Sequence, residues 1–233
     1  MSDYGGGAPL WARYVNNPGQ TSRPSLSPAW AIPDGATRLP PPENAPAGCP
    51  LPCDWDSRAF AALDVETTGL ESYKDRVIEI GVVLFHYDAE GALVEESSWN
   101  SLVNPAMPIP ASSTAIHGIT DLDISSAPFF QDLADDLEEL LASRVMVAHN
   151  APFDSSFIRG EYARMQRSSP IVEMADSLVL LRQATPNLLS YSLGKAAFVL
   201  GIETGVSHRA LDDARVCMQL FTQSARTLSG KCE

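Results

Sequence analysis

The sequence contains few cysteines, few basic residues and no long hydrophobic run. Its 233 residues include four cysteines, of which Cys49 and Cys53 have the spacing of one half of a zinc site. Cys217 and Cys232 do not form a second close pair, so reduced thiols in a cytoplasm are the simpler account. No stretch approaches the length of a membrane span, and the N-terminus lacks a basic start followed by an apolar core. We therefore expect a soluble, cytoplasmic protein that does not contact a membrane.

Basic residues are scarce relative to acidic ones. Lysine and arginine number 16 against 29 aspartates and glutamates, which gives a formal net charge of −13 and a pI of about 4.6. A protein that neutralises many phosphates normally carries a basic face, so this balance argues against extended electrostatic tracking along a nucleic-acid duplex. The acidic charge is compatible with a protein that binds only a few terminal nucleotides and in which bound metal ions supply the positive charge.

Residues 1–57 differ in composition from residues 58–233. A glycine run at Gly5–Gly7, a proline run at Pro40–Pro42 and scattered prolines interrupt any periodic apolar pattern. This composition predicts a flexible or polyproline-like N-terminal arm, followed by one domain. The exceptions within the arm are three large aromatic residues, Trp11, Tyr14 and Trp30. They either anchor a partner or fold back onto the domain.

Two acidic residues stand two positions apart at the end of an apolar run. Asp64 and Glu66 follow the segment Ala59–Leu63, which is typical of a β-strand that ends before a turn. Side chains at positions i and i+2 of a strand point to the same face, so the two carboxylates project together. Like charges this close are unfavourable unless a cation lies between them, and carboxylate oxygens suit Mg²⁺ or Mn²⁺. Taken alone, the pair is also compatible with a solvated turn.

A third acidic residue follows a second apolar strand. This strand begins at Val145, and Asn150 together with Pro152 marks the start of a helix. Asp154 then lies at the helix N-terminus, where the macrodipole favours its ionised form. The alternative is an ordinary first-turn acid that binds no ligand.

A histidine and an aspartate stand five positions apart near the start of the last predicted helix. Five positions along a regular helix rotate a side chain by roughly 140°, so His208 and Asp213 converge only if His208 lies in the loop before the helix. Ser207 is compatible with a cap at that point. The helix itself is predicted from an apolar face made of Leu211, Ala214, Cys217, Phe221 and Ala225.

In their order and spacing, these three segments resemble the three exonuclease motifs of the DEDDh family. That family includes the proofreading epsilon subunit of bacterial DNA polymerase III, ribonuclease T and oligoribonuclease. The matching positions are Asp64 and Glu66 in the first motif, Asp154 in the second, and His208 and Asp213 in the third. Ala115–Thr120 is similar to the segment between the first two motifs of epsilon-like members, and Leu189–Gly194 to the stretch before the third. The resemblance covers residues 59 to 226.

The resemblance implies a ribonuclease H-like α/β fold, with a mixed five-stranded sheet and helices on both faces. The predicted order of elements agrees with it. Strands at Ala59–Val65, Val77–His86 and Leu93–Val103 form an antiparallel meander, with a turn at Asp88–Gly91. A helix over Phe129–Leu141 leads to the strand at Val145, after which strands and helices alternate. We expect the site at the carboxyl end of the first strand.

The resemblance also implies phosphodiester hydrolysis with two divalent ions, Mg²⁺ or Mn²⁺, about 3.5 to 4 Å apart. Asp64 would bridge both ions. Glu66 and Asp213 would hold the ion that activates the water, and Asp154 would support the second ion, directly or through its water. His208 would accept the proton of the attacking water, a role suited to a side chain whose unperturbed pKa is about 6.5.

Two further aspartates compete for the role of ligand. The family spacing selects Asp213 over Asp212, which we expect to face solvent or to help satisfy the start of the helix. Asp176 is interpreted as the cap of the helix that follows it, and not as a ligand.

Contacts to the end of a nucleic-acid strand follow from the resemblance and from local chemistry. Thr67, Thr68 and Gly69 would offer backbone N–H groups and hydroxyls to the terminal nucleotide, although a positive φ at a turn would by itself explain Gly69. Leu70 would be a wedge against the terminal base and Phe153 a stacking surface. Each of these two could equally belong to the core. Two polar contacts are also expected near the cleaved end, from His117 and Asn150.

The sequence thus predicts a metal-dependent 3′→5′ exonuclease that releases nucleoside 5′-monophosphates from single-stranded or frayed DNA, in proofreading or repair. One alternative is a 3′→5′ exoribonuclease that acts on short or structured RNA. Another is a binding subunit of a replication complex, recruited to a polymerase or another replication protein through the N-terminal arm.

Overall fold

The fold is described by a computed structural model that covers residues 37–38, 51, 54–206 and 208–229. A single 3₁₀ turn at Trp55–Ser57 precedes the main sheet. The strands are β1 (Thr37–Arg38), β2 (Phe60–Thr67), β3 (Val77–Tyr87), β4 (Leu93–Leu102), β5 (Val145–Ala148) and β6 (Glu173–Asp176). The helices are α1 (Ala111–His117), α2 (Phe130–Leu141), α3 (Ala151–Arg164), α4 (Ser177–Ala184), α5 (Leu193–Val199) and α6 (Ala210–Ser229).

The sheet mixes antiparallel and parallel pairing, as predicted. Its order is β1-β6-β5-β2-β3-β4. The meander β2-β3-β4 is antiparallel, whereas β5 pairs in parallel with both β2 and β6. The five strands from β2 to β6 form the predicted mixed sheet, and the two residues of β1 extend it beside β6. In the described part of the chain, no helix is long and apolar enough to cross a membrane.

Each face of the sheet has its own apolar core, because successive side chains of a strand point to opposite faces. Along β2, Ala61 and Leu63 join a cluster with residues of α2 and α3, such as Leu137 and Phe157. The alternate residues Phe60 and Ala62 join a second cluster under α6. The predicted apolar face of α6 is confirmed: four of its members are buried and the fifth packs partly buried against the second cluster. They are Ala214, Cys217, Phe221, Ala225 and Leu211.

The last residues of the segment predicted as an arm contact this second core. Leu51 and Trp55 are buried in it, and the Trp55 ring lies 4.8 Å from the ring of Tyr87. The Trp55 indole N–H donates to Ser229 Oγ over 2.8 Å, at the end of α6. The other aromatic residues named for the arm, Trp11, Tyr14 and Trp30, lie outside the described residues, as do Cys49, Cys53 and Cys232. The division at residue 57 therefore stays a prediction.

A glycine in β3 allows α6 to approach the sheet at the point where Asp64 lies. Gly81 is the β3 partner of Asp64 in the ladder. A Cβ atom at Gly81 would lie 2.3 Å from the backbone of Ala210 and of Leu211, the first residues of α6. Backbone atoms at that distance cannot move aside without shifting the helix. Gly81 is therefore required by close approach and not by an unusual backbone angle.

We expect Gly81→Ala to destabilise the protein and Gly194→Ala not to. The added methyl group at position 81 overpacks the contact between β3 and α6, which costs about 1–3 kcal/mol. At Gly194, in α5, no atom lies within 4 Å of an added Cβ, so the better helix propensity of alanine adds about 0.5 kcal/mol to the free energy of unfolding. Urea unfolding of both variants measures this difference. Equal stability of the two variants would contradict the close contact at Gly81.

Candidate active site

The first two acidic residues lie at the carboxyl end of β2, as expected. Asp64 and Glu66 continue the face of β2 that carries Phe60 and Ala62, which is the side of the sheet covered by α6. Between them, Val65 is buried in the opposite core. The two carboxyl-bearing residues are only partly exposed, so solvent reaches them but does not surround them.

The third acidic residue reaches β2 from the start of α3. Asn150 precedes this helix in a left-handed conformation, with φ of 74°, and Pro152 stands in the first turn as predicted. Asp154 is 3% exposed, and its Oδ1 accepts a hydrogen bond from the backbone N–H of Val65 over 3.2 Å. The ladder between β2 and β5 ends at Ala62, so this side chain takes an N–H group that the neighbouring strand no longer reaches.

The third motif closes the site from the start of α6. His208 lies in the loop before the helix, in a left-handed conformation with φ of 61°. Its backbone N–H donates to Asp213 Oδ2 over 3.0 Å. One ligand atom from each of Glu66, His208 and Asp213 lies within 4.8 Å of the others. The structure thus brings together side chains from the first and third motifs. Ser207, the predicted cap, lies outside the described residues.

The two competing aspartates have other partners. Asp212 Oδ2 accepts from the backbone N–H of Val206 over 2.9 Å, so this side chain holds the loop before α6. Asp176 is the N-cap of α4, as predicted, because its Oδ1 accepts from the N–H of Leu178 over 3.0 Å. The same oxygen also accepts from the N–H of Asn150 over 3.1 Å. Asp176 therefore connects α4 to the start of α3.

Burial and mutual repulsion raise the pKa of all four carboxyl groups. Burial is the largest cause for each of them. The pKa of Asp64 is raised well above its ordinary value, with further repulsion from Asp154 and Asp213. The pKa of Glu66 rises to about 7, and that of Asp154 to about 8 despite the hydrogen bonds that its carboxylate accepts from backbone N–H groups.

The donor set fits a hard divalent cation. Ligand atoms of Glu66, His208 and Asp213 lie within 4.8 Å of one another, and Asp64 is repelled by Glu66, Asp154 and Asp213, a repulsion that a positive charge among them would relieve. Oxygen ligands of this kind suit Mg²⁺ and Mn²⁺. Asp64, Glu66, Asp154 and Asp213 are the residues that would hold such ions.

The turn after β2 is held by its own side chains. Thr67 Oγ1 donates to the carbonyl of Gly69 over 2.6 Å, and Thr68 Oγ1 accepts from the N–H of Arg76 over 3.0 Å. Gly69 does not have a positive φ, so the alternative explanation of this glycine by its backbone angle was wrong. Its reason is again close approach, because a Cβ atom there would lie 2.4 Å from a carboxylate oxygen of Asp75. Leu70 is 82% exposed, which excludes the core alternative for this residue.

A buried ion pair fixes the far end of this turn. Glu161 in α3 is 1% exposed and receives two hydrogen bonds from the guanidinium of Arg76, over 2.7 and 2.8 Å. The backbone N–H of Val77 also donates to it over 3.3 Å. The turn that follows the first motif is therefore tied to the helix that carries the second.

His117 is a predicted contact that lies buried at the end of a helix. It is 6% exposed at the end of α1, and its Nδ1 accepts from the N–H of Ile119 over 3.0 Å, which leaves the proton of a neutral ring on Nε2. Burial lowers the pKa of His117, and Glu79 and His208 are close enough to influence it. A hydrogen bond to the Thr67 backbone opposes the shift, but its geometry is poor, and no other atom of the described residues makes a hydrogen bond to the buried Nε2.

Asn150 and Phe153 flank the start of α3. The side chain of Asn150 is exposed and does not cap its helix. Phe153 is half-buried, with its ring 4.9 Å from that of Phe157. Phe153 therefore contacts the core while part of its side chain stays accessible.

Two residues that the sequence patterns did not single out lie beside the site. His149 is anchored at both nitrogens, by Ser177 Oγ over 2.9 Å and by the carbonyl of Tyr191 over 2.7 Å. Glu79 is 1% exposed and faces Glu66 across the ladder of β2 and β3. A signal for Glu79 was present, because it is the one charged residue in the apolar run Val77–Phe85.

Comparison with known proteins identifies the class to which this fold and site belong. The family described as Exonuclease (RNase T) matches residues 61–221, and the chain belongs to this family. It is 36% identical to the DNA polymerase III subunit epsilon of Treponema pallidum over 166 residues, which are 70% of this chain and 75% of that protein. It is 31% identical to the PolC-type DNA polymerase III of Clostridium perfringens over 171 residues, 72% of this chain but 11% of that protein.

Solved structures give the same result for the fold. Exonuclease X in complex with 5′ overhanging duplex DNA is 25% identical, with a TM-score of 0.57 over 72% of this chain and 92% of the other. E. coli exonuclease I in complex with a dT13 oligonucleotide is 17% identical, with a TM-score of 0.61 over 71% of this chain and 40% of the other. The ribonuclease H-like fold and the prediction of an exonuclease are thereby confirmed.

We expect the metal-free protein to lose stability as the pH rises from about 5 to about 8.5. The pKa of Glu66 rises on folding from 4.5 to about 7, and that of Asp154 from 3.8 to about 8, so the folded state binds more protons than the unfolded state in this range. Stability then falls with pH until both groups have ionised. Thermal unfolding in EDTA measures the slope, and Asp154→Asn should flatten it because one titrating group is gone. Parallel curves for the two proteins would contradict the raised pKa of Asp154.

Proposed function

We propose that this chain is a metal-dependent 3′→5′ exonuclease that hydrolyses phosphodiester bonds at the 3′ end of single-stranded or frayed DNA and releases nucleoside 5′-monophosphates. The observation that carries the proposal is the convergence of four carboxyl groups and His208 at the end of β2, in a chain of the exonuclease family. Divalent cations held by this donor set would stabilise the negative charge that develops when a phosphodiester bond is cleaved.

The carboxyl groups act as ligands and His208 acts as the base. Asp64 lies close enough to Glu66, Asp154 and Asp213 to be repelled by each, while Glu66 and Asp213 lie within ligand distance of His208. When bound, two divalent ions would activate the attacking water and stabilise the leaving oxygen. His208 takes the proton of that water, and its exposed ring can pass the proton on to solvent. The hydrogen bond from its backbone to Asp213 holds the base beside the ligands.

The end of the strand is bound by groups that surround this cluster. The buried Nε2 of His117 is a donor without a well-formed partner, and a sugar or phosphate oxygen of the terminal nucleotide would satisfy it. Leu70 projects into solvent from the tied turn Thr67–Gly69 and can wedge against the last base. Asn150 and the accessible part of Phe153 contribute from the start of α3.

DNA is the favoured substrate, and a replicative polymerase is the favoured partner. The similar proteins that bear on this are a DNA polymerase III epsilon subunit, PolC-type polymerases and an exonuclease X bound to DNA. The chain covers 11% of the PolC-type protein, so association with a polymerase, through residues 1–57 or another surface, is part of the proposal. Proofreading or repair of DNA is the corresponding cellular role.

We expect Asp64→Asn to abolish hydrolysis of 5′-labelled single-stranded DNA in Mg²⁺ or Mn²⁺ without unfolding the protein. A neutral amide cannot replace a carboxylate that bridges cations, and the loss of several kcal/mol of transition-state stabilisation corresponds to about 10³-fold or more in rate. The wild type should give a ladder that shortens from the 3′ end and stops in EDTA. Unchanged hydrolysis by the variant, in a preparation free of other nucleases, would refute the proposed mechanism.

We expect single-stranded DNA to be degraded faster than RNA of the same sequence. The measurement is the initial rate on matched 5′-labelled oligonucleotides, with the Asp64→Asn protein as the control. Faster degradation of RNA would favour the exoribonuclease alternative. Hydrolysis of neither strand would leave the binding-subunit alternative.

A further inference from the structure

A buried glutamate lies directly behind the proposed site without belonging to the ligand set. Glu79 is 1% exposed, in the middle of an apolar strand, and stands opposite Glu66 in the ladder. A carboxylate buried to this degree persists only when it is paired and hydrogen-bonded, because burial strongly disfavours an isolated charge. Its partners therefore indicate what it does.

The partners of Glu79 lie at the start of α6. The guanidinium of Arg209 donates from Nη2 to Oε1 over 2.8 Å and from Nε to both carboxylate oxygens over 3.2 Å. The backbone N–H of Ala210, the first residue of α6, donates to Oε2 over 3.2 Å. On the other side, Asn100 of β4 donates to Oε1 over 3.2 Å and to the carbonyl of Ile80 over 3.0 Å. One carboxylate thus joins β3, β4 and α6.

Glu79 contacts Arg209, in the loop before α6, and Ala210, the first residue of α6. Both are neighbours of the proposed catalytic groups. Arg209 follows His208 in the chain, and Ala210 stands three positions before Asp213. The backbone of His208 has a positive φ, a conformation that costs free energy and persists only where its surroundings impose it. The hydrogen bond from His208 N to Asp213 Oδ2 spans the stretch of chain that contains Arg209 and Ala210, the two residues that Glu79 contacts.

We propose that Glu79 is a positioning residue: together with Arg209 it holds the start of α6 against β3, so that Asp213 and His208 meet Glu66. This inference rests on the proposed function. Gly81 contributes to the same contact from two positions along β3, because its missing side chain lets the α6 backbone lie against the strand. The hydrogen bonds to Glu79 orient the start of α6, and the absence of a side chain at Gly81 lets the helix lie close to β3.

Glu79 and Arg209 could instead act only through their charges. The electrostatic role and the positioning role predict different changes in cation affinity when one of the two residues is replaced. If Glu79 and Arg209 acted only through their charges, removing the negative group would weaken cation binding and removing the positive group would strengthen it. If they act by positioning, either change releases the start of α6. Both changes then weaken cation binding and slow the reaction.

The experiment measures Mn²⁺ affinity without substrate, by electron paramagnetic resonance, and kcat and KM on single-stranded DNA. The proteins are wild type, Glu79→Gln, Arg209→Gln and Glu95→Gln. The last is the matched control, because Glu95 of β4 also pairs with an arginine of α6, Arg215, over 3.3 Å, but on the exposed surface. We expect Glu79→Gln and Arg209→Gln each to weaken Mn²⁺ binding and to lower kcat by about 10- to 100-fold, as is typical when groups behind metal ligands are removed. Glu95→Gln should match the wild type.

The double variant Glu79→Gln/Arg209→Gln tests whether the two residues act as one unit. We expect it to lose no more than either single variant, because both remove the same contact. Opposite shifts in Mn²⁺ affinity for the two single variants, or wild-type values for both, would overturn the proposal. Circular dichroism checks folding, and if Glu79→Gln does not fold, the sign of the Arg209→Gln effect decides. Hydrolysis that survives in Asp64→Asn would instead refute the proposed function, so the two failures are distinguishable.

Discussion

Carboxylate repulsion at the carboxyl end of β2 is the constraint on which the rest of the structure depends. Asp64 and Glu66 meet Asp154 and Asp213 there, and burial with mutual repulsion raises the pKa of each. Groups that repel one another stay together only if the elements that carry them are held by other interactions. The apolar clusters on the two faces of the sheet supply that force, since one packs α3 and the other packs α6 against the same strands.

Two buried glutamate–arginine pairs then set the details. Glu161 of α3 holds Arg76 at the end of the turn that follows the first motif, and Glu79 of β3 holds Arg209 at the start of α6. Each pair joins a segment of irregular backbone to a regular element. Removing the arginine of such a pair leaves a buried carboxylate without compensation, which is strongly destabilising.

The acidity of the chain is consistent with a site of this kind. With a formal net charge of −13, the protein has little general attraction for phosphate, and two of its arginines, Arg76 and Arg209, are engaged with buried glutamates. A cluster of carboxylates would repel a nucleic acid further if it stood alone. Asp64, Glu66, Asp154 and Asp213 would hold divalent cations whose charge offsets that of the carboxylates, so the loaded site would no longer repel phosphate and its cations could contact phosphate oxygens.

By itself, the sequence determined the three-stranded meander, the helix that follows at residues 129–141, the strand at Val145 and the positions of the acidic motifs, because strand and helix periodicity and short-range spacing are local properties. It placed Asp64 and Glu66 on one face and Asp176 at a helix cap, and the structure agrees. Only the tertiary structure decided that Gly69 and Gly81 are glycines because neighbouring atoms lie too close for a side chain, that Leu70 is exposed, and that Glu79 pairs with Arg209. The contacts of Gly81 and Glu79 join residues far apart in the chain, 130 positions for Glu79 and Arg209, and no local pattern encodes a partner at that distance.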